Sequence, residues 1–172
     1  MKTKRLIICA LFAAILCITA PFYIMIGPVP LTFVLFFLAL AAFVQGSMGA
    51  ASATIIYTLI GIVGLPVFSG FKGGIGSIAS PTGGFILSYI PLVLLLGLCV
   101  KTQSKTKKII WCALALLVCY TFGTAWYMLV MSEDVMSALV MCVAPFIPFD
   151  IVKLYAAHIL AKEIQKRIKL KG

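Results

Sequence analysis

Few side chains in this sequence are equipped for chemistry, and two of them stand together. In Pro145-Phe146-Ile147-Pro148-Phe149-Asp150-Ile151-Val152-Lys153, the acid and the lysine are three residues apart, so a helix would put both on one face. An ionised Asp offers two acceptor oxygens, which suit a ligand with paired N–H donors, and Lys offers a cation for a carbonyl or carboxylate. A helix starting near Pro148 would add backbone N–H donors and a positive dipole end. The flanking residues are apolar, and ionisable groups in apolar spanning segments are costly and usually functional. A structural reading stands beside this one: the two groups neutralise each other and anchor the helix.

The other polar candidates are weaker. Lys72 sits alone among glycines and reads either as a solvated loop lysine or as a carboxylate partner at a cavity mouth. Phe22, Tyr23 and Phe68 read as cavity lining or as core. His158 has no second His and no nearby acid, which favours packing or hydrogen bonding. Glu133 and Asp134 are adjacent and read as a solvated turn. Trp111 and Trp126 read as interfacial anchors. Six scattered cysteines without a CxxC pair, and a single His, leave no set of metal ligands. With no GxxxxGK[ST] segment, no HExxH and no Ser–His–Asp set, the sequence predicts neither ATP hydrolysis nor another enzymatic activity for this chain.

The elements that must position these groups follow from composition. Of 172 residues, 63% are hydrophobic and only 10% are charged, against about half and about a quarter in soluble domains. That excludes a soluble enzyme, a disordered tail and a disulfide mini-protein, and leaves an integral membrane protein. No Asp, Glu, Lys or Arg occurs over 6–71, 73–100 or 109–132. A spanning helix needs roughly 20 apolar residues, so the chain has room for six spans and no separate soluble domain. The predicted fold is an all-α integral membrane protein, one transmembrane domain over 1–172, folded as a compact six-helix bundle. The predicted spans are 6–26, 31–44, 48–63, 85–100, 109–131 and 149–168. A turn at Gly27-Pro28-Val29-Pro30 joins the first two spans, and a tight turn at Gln45-Gly46-Ser47 the next two. Span one reads as retained, because Ile18 makes Ile18-Thr19-Ala20 a poor cleavage site.

Net charge is +10, from 14 basic against 4 acidic residues. The basic residues cluster at span ends: Lys2, Lys4 and Arg5; Lys101, Lys105, Lys107 and Lys108; Lys162, Lys166, Arg167, Lys169 and Lys171. The positive-inside rule puts both termini in the cytoplasm. Attraction to anionic membrane lipid, not nucleic acid, is the expected meaning of the charge. The segment 64–84 then lies outside between spans three and four. Its glycines and prolines argue against a plain helix and its apolar residues against a solvated loop. It is predicted to fold back over the bundle as a lid or cavity wall, with glycines allowing close approach to a ligand.

GLPVFSG at 64–70, Lys72-Gly73-Gly74, PTGGF at 81–85 and PFIPFDIVK at 145–153 together resemble the BioY family, the biotin-specific substrate-capture subunits (S components) of energy-coupling-factor (ECF) transporters. The resemblance runs in order along nearly the whole chain. It departs from the usual pattern where Gly46-Ser47-Met48 stands for Gly-Pro-Lys, where Ser80 stands for glycine, and where no Gln follows Pro30-Leu31-Thr32. It implies a biotin site open to the outside, with biotin as transported ligand and no cofactor. Asp150 and Lys153 would match the ureido ring and Lys72 the carboxylate, with Phe68, Gly73, Gly74, Pro81, Thr82 and Gly83 as further substrate-binding residues. It also implies a multi-pass protein of the bacterial cell membrane. Its partners would be a transmembrane coupling protein, met by small residues of the first helix (Ala10, Ala13 and Ala14), and two ABC-type ATPases. Another vitamin as ligand, or a non-transporting assembly or sensor role, are the alternatives.

Overall fold

The computed structural model describes residues 2–26 and 29–168. Gly27 and Pro28 of the first turn, and Lys169 and Lys171 of the last basic group, lie outside the described residues. The order is α1 (Lys2–Thr19), β1 (Tyr23–Ile26), β2 (Val29–Thr32), α2 (Val34–Val63), α3 (Ile75–Ala79), α4 (Gly83–Leu98) with a 3-10 turn (Cys99–Lys101), α5 (Lys105–Met131), α6 (Val135–Cys142) and α7 (Phe146–Ile168). Among the described residues, three helical segments are long and apolar enough to cross a membrane: Val34–Val63, Gly83–Lys101 and Lys105–Met131. The pair α6 and α7, bent by 41°, makes a fourth if it is one span.

The fold departs from an all-α chain at one place. The apolar run of the first span does not stay helical to Ile26. Pro21 follows closely on the end of α1, where it has no N–H to continue the ladder. Residues 23–26 instead pair antiparallel with 29–32, Tyr23 opposite Thr32 and Met25 opposite Pro30. A proline is tolerated there because the ribbon has only two strands and both are edges. The basic segment 101–108 also differs from the expected loop. Lys105, Lys107 and Lys108 form the first turn of α5, where the Ser104 hydroxyl accepts from the Lys107 N–H.

α2 is helical throughout except at Gly46, whose φ of 76° and ψ of −178° are accessible essentially to glycine alone. The chain reverses there. Leu35 and Tyr57 line the same cavity, yet a continuous helix would hold these residues roughly 33 Å apart. Phe43, close to the break, instead receives the Gln165 amide at 2.7 Å from the far part of α7. The Ser47 hydroxyl, just past the break, donates to the Leu94 carbonyl at 2.8 Å. Gly97 makes room for that contact, since a Cβ there would collide with Ser47. α4 packs between α2 and α5, while α1 and α7 each lie against α2.

Small residues fill these seams: Ala39, Ala41, Ala42, Ala50, Ala53, Ala115 and Ala157 are completely buried. They let backbones approach closely, which is how helices associate in lipid. The outside is apolar too. α5 buries only Ala115, Cys119, Gly123, Thr124 and Tyr127, while Leu117, Phe122 and Leu129 are exposed. A water-facing helix would carry polar residues on that side. α6 starts from Asp134, whose carboxylate accepts the Met136 and Ser137 N–H groups. The Ser137 hydroxyl and these N–H groups hold the Asp134 carboxyl below the usual carboxylate range. This cap is therefore present above about pH 4 and fades as pH falls through the lowered value.

The Gly46 reversal is testable. Gly46→Ala meets no neighbouring atom, so its whole effect is backbone strain, expected at about 1–3 kcal/mol of lost stability. Gly76→Ala also meets nothing and has an ordinary φ, so it should stay within about 0.5 kcal/mol of the parent. Thermal unfolding in detergent compares the two.

Candidate functional site

The hairpin, both arms of α2, the 64–82 segment, α4, α5 and the start of α7 enclose one cavity. It holds about 850 Å³ free of protein atoms, the open space at its mouth included. Its walls are mainly aromatic and aliphatic, with Tyr57, Phe68, Phe85, Ile86, Tyr89 and Phe146 among them.

Polar groups enter at two places. On α7, Asp150 is only 6% exposed. The Lys153 ammonium donates to its Oδ1 at 2.9 Å and the Tyr120 hydroxyl to its Oδ2 at 2.7 Å. Removing an ion from water costs several kcal/mol, and a buried pair survives only with good geometry and further hydrogen bonds. Lys153 and Tyr120 supply both. Each carboxylate oxygen keeps acceptor capacity, and the ammonium has three donors. The trio is neutral overall and can still bond a ligand carrying both N–H and C=O groups.

The second polar wall is the 64–82 segment. Residues 68 and 72 bond through both backbone groups, at 2.9 and 3.3 Å, around a turn containing Gly70 and Phe71 at positive φ. The Gly70 N–H is tied to the Pro21 carbonyl at 2.9 Å, and Phe71 packs edge-on against Phe22. This brings Lys72 to the cavity, its side chain otherwise exposed. Ser77, Ser80 and Thr82 also line the cavity and form a chain: the Ser80 hydroxyl donates to the Ser77 carbonyl at 2.6 Å and lies 3.0 Å from the Thr82 hydroxyl.

Of the residues singled out in sequence, Asp150, Lys153, Lys72, Phe68 and Thr82 come together around the cavity. Gly73, Gly74, Pro81 and Gly83 are not part of its wall. Gly73 packs on the Leu65 carbonyl and Gly83 on the Ile78 carbonyl, each too closely for a Cβ. The Gly74 N–H donates to the Gly61 carbonyl at 2.7 Å. Pro81 links α3 to α4. These residues shape the segment that carries Lys72 and Thr82. Ala10 and Ala14 lie exposed on α1, one turn apart, whereas Ala13 is buried. His158 lies edge-on to Phe43 and away from this cavity.

Two contributors were not anticipated. Tyr120 precedes Asp150 by 30 residues with no local spacing to connect them. Trp126, expected as an interfacial anchor, donates its indole N–H to the Ser80 carbonyl at 3.0 Å and packs its Cβ on Gly84. It fastens the 64–82 segment to α5. Trp126→Phe removes that hydrogen bond, worth about 0.5–1.5 kcal/mol. Limited trypsin digestion after Lys72 should then speed up severalfold over the parent, with an unchanged rate contradicting the tether.

The chain is similar to known proteins along nearly its whole length. The BioY family model matches residues 1–170. A probable biotin transporter BioY from Pyrococcus horikoshii is 38% identical over 165 residues, covering 96% of this chain and 98% of that protein. A biotin transporter BioY from Thermotoga maritima is 32% identical over 164 residues, covering 95% and 96%. The fold matches a crystal structure at 2.1 Å of the S-component for biotin from an ECF-type ABC transporter, with a TM-score of 0.85 at 21% identity, covering 96% of this chain and 92% of that one.

Proposed function

The chain belongs to the BioY family, and from that membership we propose that its cavity captures biotin, as the substrate-specificity subunit of an ECF-type importer. The observation that carries the assignment of the site is the buried Asp150 carboxylate, shared between Lys153 and Tyr120 in the cavity wall. Biotin's ureido ring presents two N–H donors flanking one carbonyl. Asp150 accepts from one of these donors, and Lys153, beside it, donates to the carbonyl. The fused rings and aliphatic chain lie against Phe68, Tyr57 and Phe85. Lys72, reaching the cavity from the outer segment, meets the carboxylate as a point charge.

The topology proposed with this function has six crossings: α1, the two arms of α2, α4, α5, and the bent pair α6 and α7. An even number returns both ends to one side. Lys4, Arg5, the lysines of 101–108 and the basic end of α7 then share the cytoplasmic face, and the cavity opens outward in the cell membrane. Ala10 and Ala14 are exposed and one turn apart, a surface suited to close packing with a helix of the transmembrane coupling protein. With no nucleotide-binding motif in this chain, partner ABC-type ATPases supply the energy for release.

Equilibrium biotin binding to the purified protein tests the site. Asp150→Asn should weaken binding by about 1–3 kcal/mol, the cost of an orphaned charged partner. Lys153→Ala should weaken it similarly. Tyr120→Phe should weaken it less, since it leaves the ion pair in place. Parent-like affinity in a folded Asp150→Asn protein would remove this residue from the site.

A further inference from the structure

A second cavity lies at the opposite end of the bundle. Along α7, Gln165 is roughly 22 Å from Asp150. The cavity is lined by the corner between α4 and α5, the end of the first arm of α2, and the last turns of α7, and holds about 600 Å³ free of protein atoms, the open space at its mouth included. Its floor is apolar, made by the buried Phe43, Cys99 and Ala161. Its polar lining includes Lys108, Lys162, His158 and Gln165.

Among the described residues, no acidic side chain lines it. The chain has four Asp and Glu residues. Asp150 lines the other cavity, Glu133 and Asp134 precede α6, and Glu163 pairs with Lys166 at 2.6 Å. Among the described residues, neither Lys108 nor Lys162 forms an ion pair. Two ammonium groups and an imidazole thus line one partly open cavity, Lys162 at its exposed rim, without an acidic side chain among the described residues. Lys105, Lys107 and Lys108 also crowd the N-terminal turn of α5, where the helix dipole disfavours cations. Both features call for an anion from outside the chain. The apolar floor argues for an amphiphile over a free ion, and basic pockets between helices on the cytoplasmic side suit lipid headgroups.

We propose that this cavity is a binding site for the phosphate of an anionic phospholipid, held by Lys108 and Lys162 with its glycerol and upper chain over Phe43 and Ala161. The proposal rests on the orientation that puts this end inside, and is independent of biotin. A lipid seated there would bridge the corner between α4 and α5 to α7, the helix that carries Asp150.

The test uses delipidated protein in detergent, with thermal stability and native mass spectrometry as readouts. Phosphatidylglycerol should be retained and should raise the melting temperature, while phosphatidylcholine should do neither. The double variant Lys108→Gln/Lys162→Gln should lose retention by roughly tenfold or more while its lipid-free protein keeps the parent's cooperative thermal unfolding, which shows that it is folded. Lys108→Arg/Lys162→Arg should keep retention. Lys101→Gln/Lys105→Gln removes the same charge outside this cavity and should behave like the parent. Equal losses in the two glutamine pairs would overturn the site in favour of general surface attraction. Equal stabilisation by inorganic phosphate would overturn the lipid as occupant.

Discussion

A carboxylate inside an apolar bundle is affordable only if its charge is met at once, and much of this structure answers to that constraint. Asp150 is met by Lys153 from its own helix and by Tyr120 from α5. The first contact needs only the pitch of α7. The second needs α5 to present Tyr120 across the cavity wall to α7, so the position of one tyrosine depends on the packing of the whole bundle. The result is a preorganised polar spot in a mainly aromatic and aliphatic wall, the arrangement by which a small amphipathic ligand is oriented.

The remaining architecture builds the wall around that spot. The reversal at Gly46 returns the second arm of α2 so that Leu35 and Tyr57 face one space. The 64–82 segment closes over it, tied to the chain after α1 through Gly70 and to α5 through Trp126. Beside these neutral hydrogen bonds, each worth about 1 kcal/mol, the buried Val67 and Phe68 anchor the segment in the main core. Such a segment can be firm enough to present Lys72 and loose enough to admit a ligand. The contrast with the alanine-lined seams is one of degree: close helix packing holds the bundle, while its cover combines two buried apolar anchors with polar ties.

What could be read in the sequence was whatever local spacing encodes. Asp150 and Lys153 share a helical turn, so their pairing was legible, and Gln45-Gly46-Ser47 announced a reversal within a long apolar run. The glycines of 64–84 signalled a folded-back segment, and the structure adds that some serve to pack it. Tyr120 was not legible, because its link to Asp150 exists only once the folded bundle sets α5 and α7 on the walls of one cavity. The hairpin was hidden because 6–26 is continuously apolar, and hydropathy does not separate a strand from the end of a helix. Pro21 was the available signal. Trp126 resembled an interfacial anchor because Trp near a span end usually is one. The lysines of 105–108 looked like a loop for the corresponding reason: charge at a span end marks the water boundary without saying whether the backbone there is already helical.

The central claim is that biotin lies in the outer cavity with its ureido ring on the Asp150 and Lys153 pair. The most direct measurement is an experimental structure of the protein with biotin bound. The account predicts a ureido N–H within hydrogen-bond distance of an Asp150 carboxylate oxygen, the ureido carbonyl on the Lys153 ammonium, and the aliphatic chain directed toward Lys72. Biotin bound elsewhere in the protein, or with its carboxylate on Lys153 and its ring directed away from Asp150, would contradict it.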